Sequence, residues 1–311
     1  MKIAIMGSGG IGAYYGGLLA RAGNEVTFIA RGAHLEAIRK NGLQIKSGYG
    51  DFLVKPAQAT DNPLEIGPVE LALVCVKTPA TEQAAQAIRP LIAPQTAVMS
   101  LQNGIDAAER IGAVIGMEHM LGAATWISVA IEAPGVVRHF SQFRRIVFGE
   151  LDGQTTCRAQ AVLERLQGSR ATAELSSDIS KVLWTKFVFI SAASAVGSLT
   201  RLEMGDYRAV PETRSLLIAI MREVEALARA QNIALDDDVV EKSLAFIDAS
   251  APSIKASMQR DIETGHVSEL EAIIGVIGRK GRELGLPTPV SDIVYAALLP
   301  IDLKARRADT A

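Results

Sequence analysis

The chain opens on a short apolar run, Lys2–Met6 (KIAIM), closed by glycines, and a run of that kind predicts a buried strand. Helix-forming residues follow over Ile11–Ala22 and stop at Gly23-Asn24. Glu25–Ala30 is β-branched and aromatic and predicts a second strand. Ala33–Asn41 reads as a helix ended by Gly42, and Leu43–Ile45 with Phe52–Val54 predicts a hairpin across a glycine-rich turn. Leu71–Val76 and Thr96–Leu101 are further apolar strands, separated by a helix over Ala80–Ile88, and Thr125–Ile131 and Arg145–Phe148 extend the sheet. Continuous apolar strands alternating with helices predict a parallel sheet covered on both faces. From about Leu175 the pattern becomes helical, over Ser176–Ala195, Glu212–Gln231, Asp236–Ser250, Ser253–Glu263 and Ser268–Leu284. The fold class is therefore α/β in the first part, residues 1–173, and all-α in the second, residues 174–311.

Length and composition fit that division. A chain of 311 residues suggests two domains, and 49% hydrophobic residues supply a sizeable core. A formal charge of −2 argues against disorder and against a nucleic-acid footprint, which needs a basic stripe. Two cysteines, Cys75 and Cys157, exclude a disulfide framework; both read as buried or half-buried thiols, in keeping with a reducing cytoplasm. The four histidines are scattered and suggest no metal site. No targeting or membrane segment is expected, because the uncharged stretch Phe187–Thr200 is shorter than the roughly 20 residues of a span. The C-terminal DLKARRADT reads as a frayed charged tail. The amphipathic helices of the second half are compatible with internal packing or a homodimer.

Gly7-Ser8-Gly9-Gly10-Ile11-Gly12 spells G-x-G-x-x-G between a strand and a helix, the setting in which the motif binds a dinucleotide. The first glycine permits the turn, the second admits a pyrophosphate, the third lets helix and strand pack closely, and the helix N-terminus offers free N–H groups. A Rossmann-type domain follows. At the end of the second strand an NAD-binding chain places a carboxylate for the ribose 2′-OH; here Ile29-Ala30-Arg31-Gly32 offers a guanidinium instead, suited to a 2′-phosphate, so NADPH is expected over NADH. The alternative for Arg31 is a solvated surface position. Lys77, at the end of Leu71–Val76, either adds charge near the adenosine half or faces water. Asn103 ends another strand in Gln102-Asn103-Gly104, where its amide suits a ribose hydroxyl or a carboxylate, although Asn-Gly is also a common turn.

In the second half Lys186 is the one charge in a long apolar stretch, Leu183–Ile190. Such lysines usually carry their head to water, but one held in a desolvated cleft has a lowered pKa and serves as an acid near neutral pH. Ser257 and Asp261 share a helix face that Gly265 terminates. Ser268 reads as an N-cap with Glu271 as its capping-box partner, which leaves Glu269 free in the first turn.

Taken in order, GSGGIG, Arg31-Gly32, CVKT, LQNG, LWTKF, SMQRD…TG…SE and GLPTP resemble the ketopantoate reductase (2-dehydropantoate 2-reductase) family over nearly the whole chain. The resemblance implies a Rossmann domain joined to a helical domain with an active site in the cleft, and NADPH-dependent reduction of ketopantoate to pantoate in pantothenate biosynthesis. It implies Lys186 as the catalytic acid, Glu269 as its assistant, and Asn103 and Ser257 as residues holding cofactor or substrate. Members of the best-studied type carry asparagines one and two turns beyond the lysine, where this chain has Ile190 and Ser194. Ser194 is thereby expected at the substrate, and a bulkier or less polar 2-oxo acid becomes the alternative substrate. A third reading is a non-catalytic NADPH sensor.

Overall fold

The computed structural model describes residues 1–309, which cluster into two units: residues 1–102 with 107–179, and residues 103–106 with 180–309. In the first, β1 (Lys2–Met6) pairs in parallel with β2 (Glu25–Ile29) and β6 (Leu71–Val74). The crossovers are α1 (Gly10–Arg21) after β1, and α2 (Gly32–Asn41) with the hairpin β3 (Leu43–Ser47) and β4 (Phe52–Val54) after β2. β5 (Gln58–Thr60) completes one edge beside β2. α3 (Thr81–Ile88) leads to β7 (Ala97–Ser100), and α4 (Ala107–Ile115) to β8 (Met120–Ala133). β8 turns at Pro134-Gly135 into β9 (Val136–Glu150), its antiparallel partner. The sheet order is β4-β3-β9-β8-β7-β6-β1-β2-β5, parallel from β8 through β5.

Side chains of β1 fill both faces of this sheet. Ile3 and Ile5 join Tyr15, Leu19 and Phe28 in one fully buried cluster, while Ala4 and Met6 join Val74, Ala84 and Ile88 in another. Burial on both faces is the reason the strand is apolar throughout instead of alternating. The α/β character read from the pattern is thus present, with the two late strands longer than expected and hydrogen-bonded along most of their length.

The expected boundary after residue 173 falls inside β10 (Thr172–Leu175), which follows α5 (Cys157–Gly168) and pairs with β9, so the first unit runs on to Ile179. The short segment Asn103–Asp106 belongs with the helical unit although its neighbours in sequence do not.

The second unit is all-helical. At its centre α6 (Ile179–Thr200) buries Phe187, Val188, Ala192, Ala195 and Val196. By length and composition this helix could cross a membrane, and it is longer than the uncharged stretch Phe187–Thr200 suggested, but 67% of its most apolar window is buried inside the protein. A helix apolar on all sides is a core helix here. Around it pack α7 (Met204–Ala209), α8 (Pro211–Ala230), α9 (Val239–Ala249) and α10 (Ser257–Thr264). A π turn at Glu271–Gly275 runs into α11 (Val276–Leu284), and α12 (Pro289–Asp309) closes the unit.

The expected frayed tail is instead helix as far as Asp309; Thr310 and Ala311 lie outside the described residues. Two contacts explain the order. The Glu223 carboxylate accepts from the N–H groups of Val290 and Ser291 at 2.8 and 2.9 Å and so caps α12, and Asp302 is buried against Ser268. Of the two thiols, Cys75 is half-buried but Cys157, the first residue of α5, is exposed.

Candidate functional site

The glycine loop meets each demand of a bound diphosphate. Gly7 has φ +94°, and a Cβ there would lie 2.7 Å from Val76. A Cβ on Gly9 would meet nothing within 4 Å, so the second glycine faces open space. A Cβ on Gly12 would lie 2.2 Å from the Gly7 carbonyl, so the third sets how closely α1 approaches β1. Gly9 caps α1 without a side-chain hydrogen bond, which leaves first-turn N–H groups to a ligand. Ser8 is turned inward: its hydroxyl and its N–H both donate to the Ile29 carbonyl at 3.1 Å, binding the loop to the end of β2.

Gly7, Ser8, Gly9 and Arg31 line one cavity of about 290 Å³. Gly10, Ile11 and Gly12 form the first turn of α1 rather than its wall. Arg31 is exposed, caps α2, and is the one charged side chain among the described residues lining the cavity. Lys77 lies outside that lining and is engaged elsewhere.

His34 and Gln83 also line the cavity, and sequence reasoning passed over both. The signal for His34 was its place one turn beyond Arg31. Its Nδ1 accepts from the Gly135 N–H at 3.1 Å, so the ring proton sits on Nε2, which is sealed from solvent without a hydrogen-bond partner. Burial lowers the His34 pKa, against a smaller opposing influence of the Ser8 backbone.

A second constellation lies within the helical unit. Lys186, on α6, donates to Oδ1 of Asn103 at 3.0 Å, and Nδ2 of Asn103 donates to Glu269 at 3.0 Å. A lysine ammonium only donates and a carboxylate only accepts, so this amide orientation alone serves both partners. Burial pushes the Lys186 pKa down to about 8, while the charge of Glu269 pulls it back up. Glu269 is itself buried at 8% exposure, just before the π turn. The result is an ammonium whose charge burial disfavours, held in place by an acceptor and a carboxylate that come from distant parts of the chain. Its pKa suits it to give up a proton close to physiological pH.

The other expected site residues do not join this trio through hydrogen bonds. Ser257 is exposed at the start of α10. Ser194, two turns beyond Lys186, is 1% exposed, and its hydroxyl is buried without a partner. Ile190 is half-buried. The capping box expected of Ser268 and Glu271 is absent. Asp302 accepts from both the N–H and the hydroxyl of Ser268, at 3.0 and 2.6 Å, and Glu271 turns to Arg279 and Tyr295. The carboxylate that a local box would supply comes from 34 residues downstream.

Sequence comparison bears on what these two arrangements serve. The profile described as "Ketopantoate reductase PanE/ApbA" matches residues 3–153, and that described as "Ketopantoate reductase PanE/ApbA C terminal" matches residues 178–302. The chain is 30% identical over 298 residues to the uncharacterized oxidoreductase YkpB of Bacillus subtilis, covering 96% of this chain and 98% of that one. A solved 2-dehydropantoate 2-reductase from Geobacter metallireducens superposes with a TM-score of 0.90 at 32% identity, covering 96% of this chain and 99% of that one. A D-mandelate dehydrogenase shares the fold, with a TM-score of 0.89 at 24% identity over 98% of this chain and 99% of its own.

Proposed function

Because the chain belongs to the ketopantoate reductase PanE/ApbA family of oxidoreductases, we propose that it reduces a 2-oxo acid to the 2-hydroxy acid with NADPH, ketopantoate being the first substrate to test. The observation that carries this reading is the Lys186–Asn103–Glu269 constellation, a hydrogen-bonded lysine whose pKa is brought down to about 8.

The residues divide the work. The Gly7–Gly12 loop and the N-terminus of α1 bind the diphosphate, and Arg31 reads the 2′-phosphate in a cavity wall that offers no carboxylate among its described residues. A reduced nicotinamide bound by these residues would supply the hydride that the ketone carbon takes up. As the substrate oxygen gains negative charge, the Lys186 ammonium hydrogen-bonds it, stabilises it and gives up the proton from Nζ. Asn103 holds that ammonium in place through Oδ1. Glu269 keeps the lysine charged before the reaction and orients it through the Asn103 amide. Ser257 and Ser194 are assigned to the substrate, Ser194 because its buried hydroxyl has no other partner.

A second reading, a less polar 2-oxo acid, is favoured by Ile190, which places an apolar side chain one turn beyond the lysine. The test is oxidation of NADPH against NADH with a panel of 2-oxo acids. Ketopantoate turned over far more slowly than an analogue with an apolar side chain would favour the second substrate. Equal rates with both cofactors would remove the role of Arg31. A sensor without chemistry predicts that Lys186→Ala leaves turnover unchanged; the reductase reading predicts that this variant still binds NADPH and loses kcat.

A further inference from the structure

The segment Asn103–Asp106 is held to the helical unit at three points. Gly104 has φ +101°, and a Cβ there would lie 3.0 Å from the Ala272 carbonyl, so the segment sits hard against the π turn. Ile105 packs on the helical core. Asp106, with its side chain 9% exposed, accepts from Arg279 at 2.8 Å.

Arg279, on α11, does not stop at Asp106. Its other terminal nitrogen pairs with Glu271, whose second oxygen accepts from the Tyr295 hydroxyl at 2.9 Å. Asp106 follows Asn103 by three residues, and Glu271 follows Glu269 by two. One planar guanidinium therefore spans the two segments that carry the partners of Lys186. A fork of this geometry fixes both distance and orientation, which a single ammonium does not.

We propose that Arg279 is a positioning residue: by bridging Asp106 and Glu271 it sets the Asn103–Glu269 separation and so aims the Lys186 ammonium. The inference rests on the reading of Lys186 as the proton donor. The bland alternative is a partly exposed ion pair of little consequence, since Arg279 is 39% exposed. Two features separate the cases. The Asp106 carboxylate is nearly buried, and the pair joins segments whose spacing determines two hydrogen bonds of 3.0 Å each. A displacement of about 1 Å in a reacting group can cost roughly 100-fold in rate.

The test compares Arg279→Ala and Arg279→Lys with the parent protein by kcat, KM for cofactor and substrate, thermal midpoint, and the pH titration of the Lys186 Nζ followed by NMR. Glu269 is the charged group that acts on that amine. Arg279→Ala is expected to lower kcat roughly 10- to 100-fold with KM for NADPH unchanged, and to move the Lys186 titration to lower pH as the Asn103 acceptor is released. Arg279→Lys, which keeps charge without the fork, should recover only part of kcat. Unchanged kcat and an unchanged titration in Arg279→Ala would overturn the proposal, as would a loss of kcat that merely follows a loss of folded protein. If the parent protein turns over no 2-oxo acid while Arg279→Ala still moves the Lys186 titration, the positioning stands and the substrate reading fails.

Discussion

Asn103 and Glu269, 166 positions apart in the chain, are joined by an Nδ2–H···Oε2 hydrogen bond of 3.0 Å, and the same amide accepts from Lys186. Asn103 is therefore the part through which the carboxylate orients the ammonium. Replacing it by Ala removes one donor from the buried Glu269 carboxylate and one acceptor from the Lys186 amine, and kcat should fall by about 100-fold while cofactor affinity is kept. Asn103→Asp should act differently. A second negative charge beside the ammonium stabilises the charged form, so the descending limb of kcat against pH should move upward. A limb that moves down in Asn103→Asp would contradict the arrangement.

The unmodified protein carries its own pH signature. With Lys186 titrating at about 8, reduction of the ketone should lose rate as the pH rises through that value, and the reverse oxidation, which needs the free amine, should gain. The same displacement has a cost in stability. The unfolded lysine takes its proton at 10.5 and the folded one at about 8, so the unfolded state binds more protons between these values. Stability is lost as pH falls through that window and stays lost below it. Lys186→Met should therefore be inactive and yet more stable at pH 7, by about 1–3 kcal/mol, a gain trimmed by the partners it strands on Asn103 and Glu269. Calorimetry at pH 7 and pH 10.5 checks the sign: the advantage of Lys186→Met should shrink at the higher pH.

Gly9 and Gly12 should respond oppositely to the same substitution. Gly9 sits at φ −70° with open space around a hypothetical Cβ, so Gly9→Ala should leave the thermal midpoint of the ligand-free protein unchanged and weaken NADPH binding by about tenfold or more. In Gly12→Ala the new methyl would sit 2.2 Å from a backbone carbonyl that cannot swing aside, so the protein itself should lose stability, by about 1–3 kcal/mol. Equal losses of stability in both variants would mean that the open space beside Gly9 is filled by the protein.

Arg31 should decide between the two nicotinamide cofactors. Arg31→Ala removes a guanidinium from the cavity wall, and the dissociation constant for NADPH should rise about 10-fold, a modest effect because the side chain is exposed. The constant for NADH should change little. Titration calorimetry with both cofactors separates this outcome from a general loss of binding, which would lower both affinities alike.

What could be seen in the sequence follows the range of the forces involved. The glycine loop was legible because its turn, strand and helix are neighbours in the chain, and the third glycine answers to a contact within that unit, the Gly7 carbonyl. The parallel strands were legible because burial on both faces leaves an uninterrupted apolar run. β5 (Gln-Ala-Thr) and β10 (Thr-Ala-Glu-Leu) carry no apolar run of the kind that marks the other short strands, and so do not register. Lys186 stood out as an isolated charge, but its meeting with Asn103 and Glu269 depends on tertiary packing, and only the family resemblance pointed to it. The Arg279 bridge left no trace, because ion pairs between an exposed arginine and two acids are read from spacing only when all three share one helix.

Asp302 shows the same limit and supports a last prediction. Ser268 followed by Glu271 has the spacing of a capping box, yet the Ser268 N–H and hydroxyl both go to Asp302, at 3.0 and 2.6 Å. Burial alone would raise the Asp302 pKa; the Ser268 hydroxyl, the Arg306 guanidinium and the Ser268 N–H outweigh it and hold the pKa below 3.8. Because the folded value is the lower one, this contribution is present above the ordinary carboxylate range and is lost as pH falls through the folded pKa. Asp302→Ala removes the acceptor of two buried Ser268 donors and one partner of the Arg306 guanidinium at once, and should destabilise by about 2–4 kcal/mol. Asp302→Asn keeps an acceptor for one donor and should lose less. The segment that Ser268 begins also carries Glu269, so Asp302→Ala should depress kcat beyond what the folded fraction explains, measured at a temperature well below its own midpoint. Full specific activity there would show that Glu269 is held by the π turn and Asn103 without help from the end of α12.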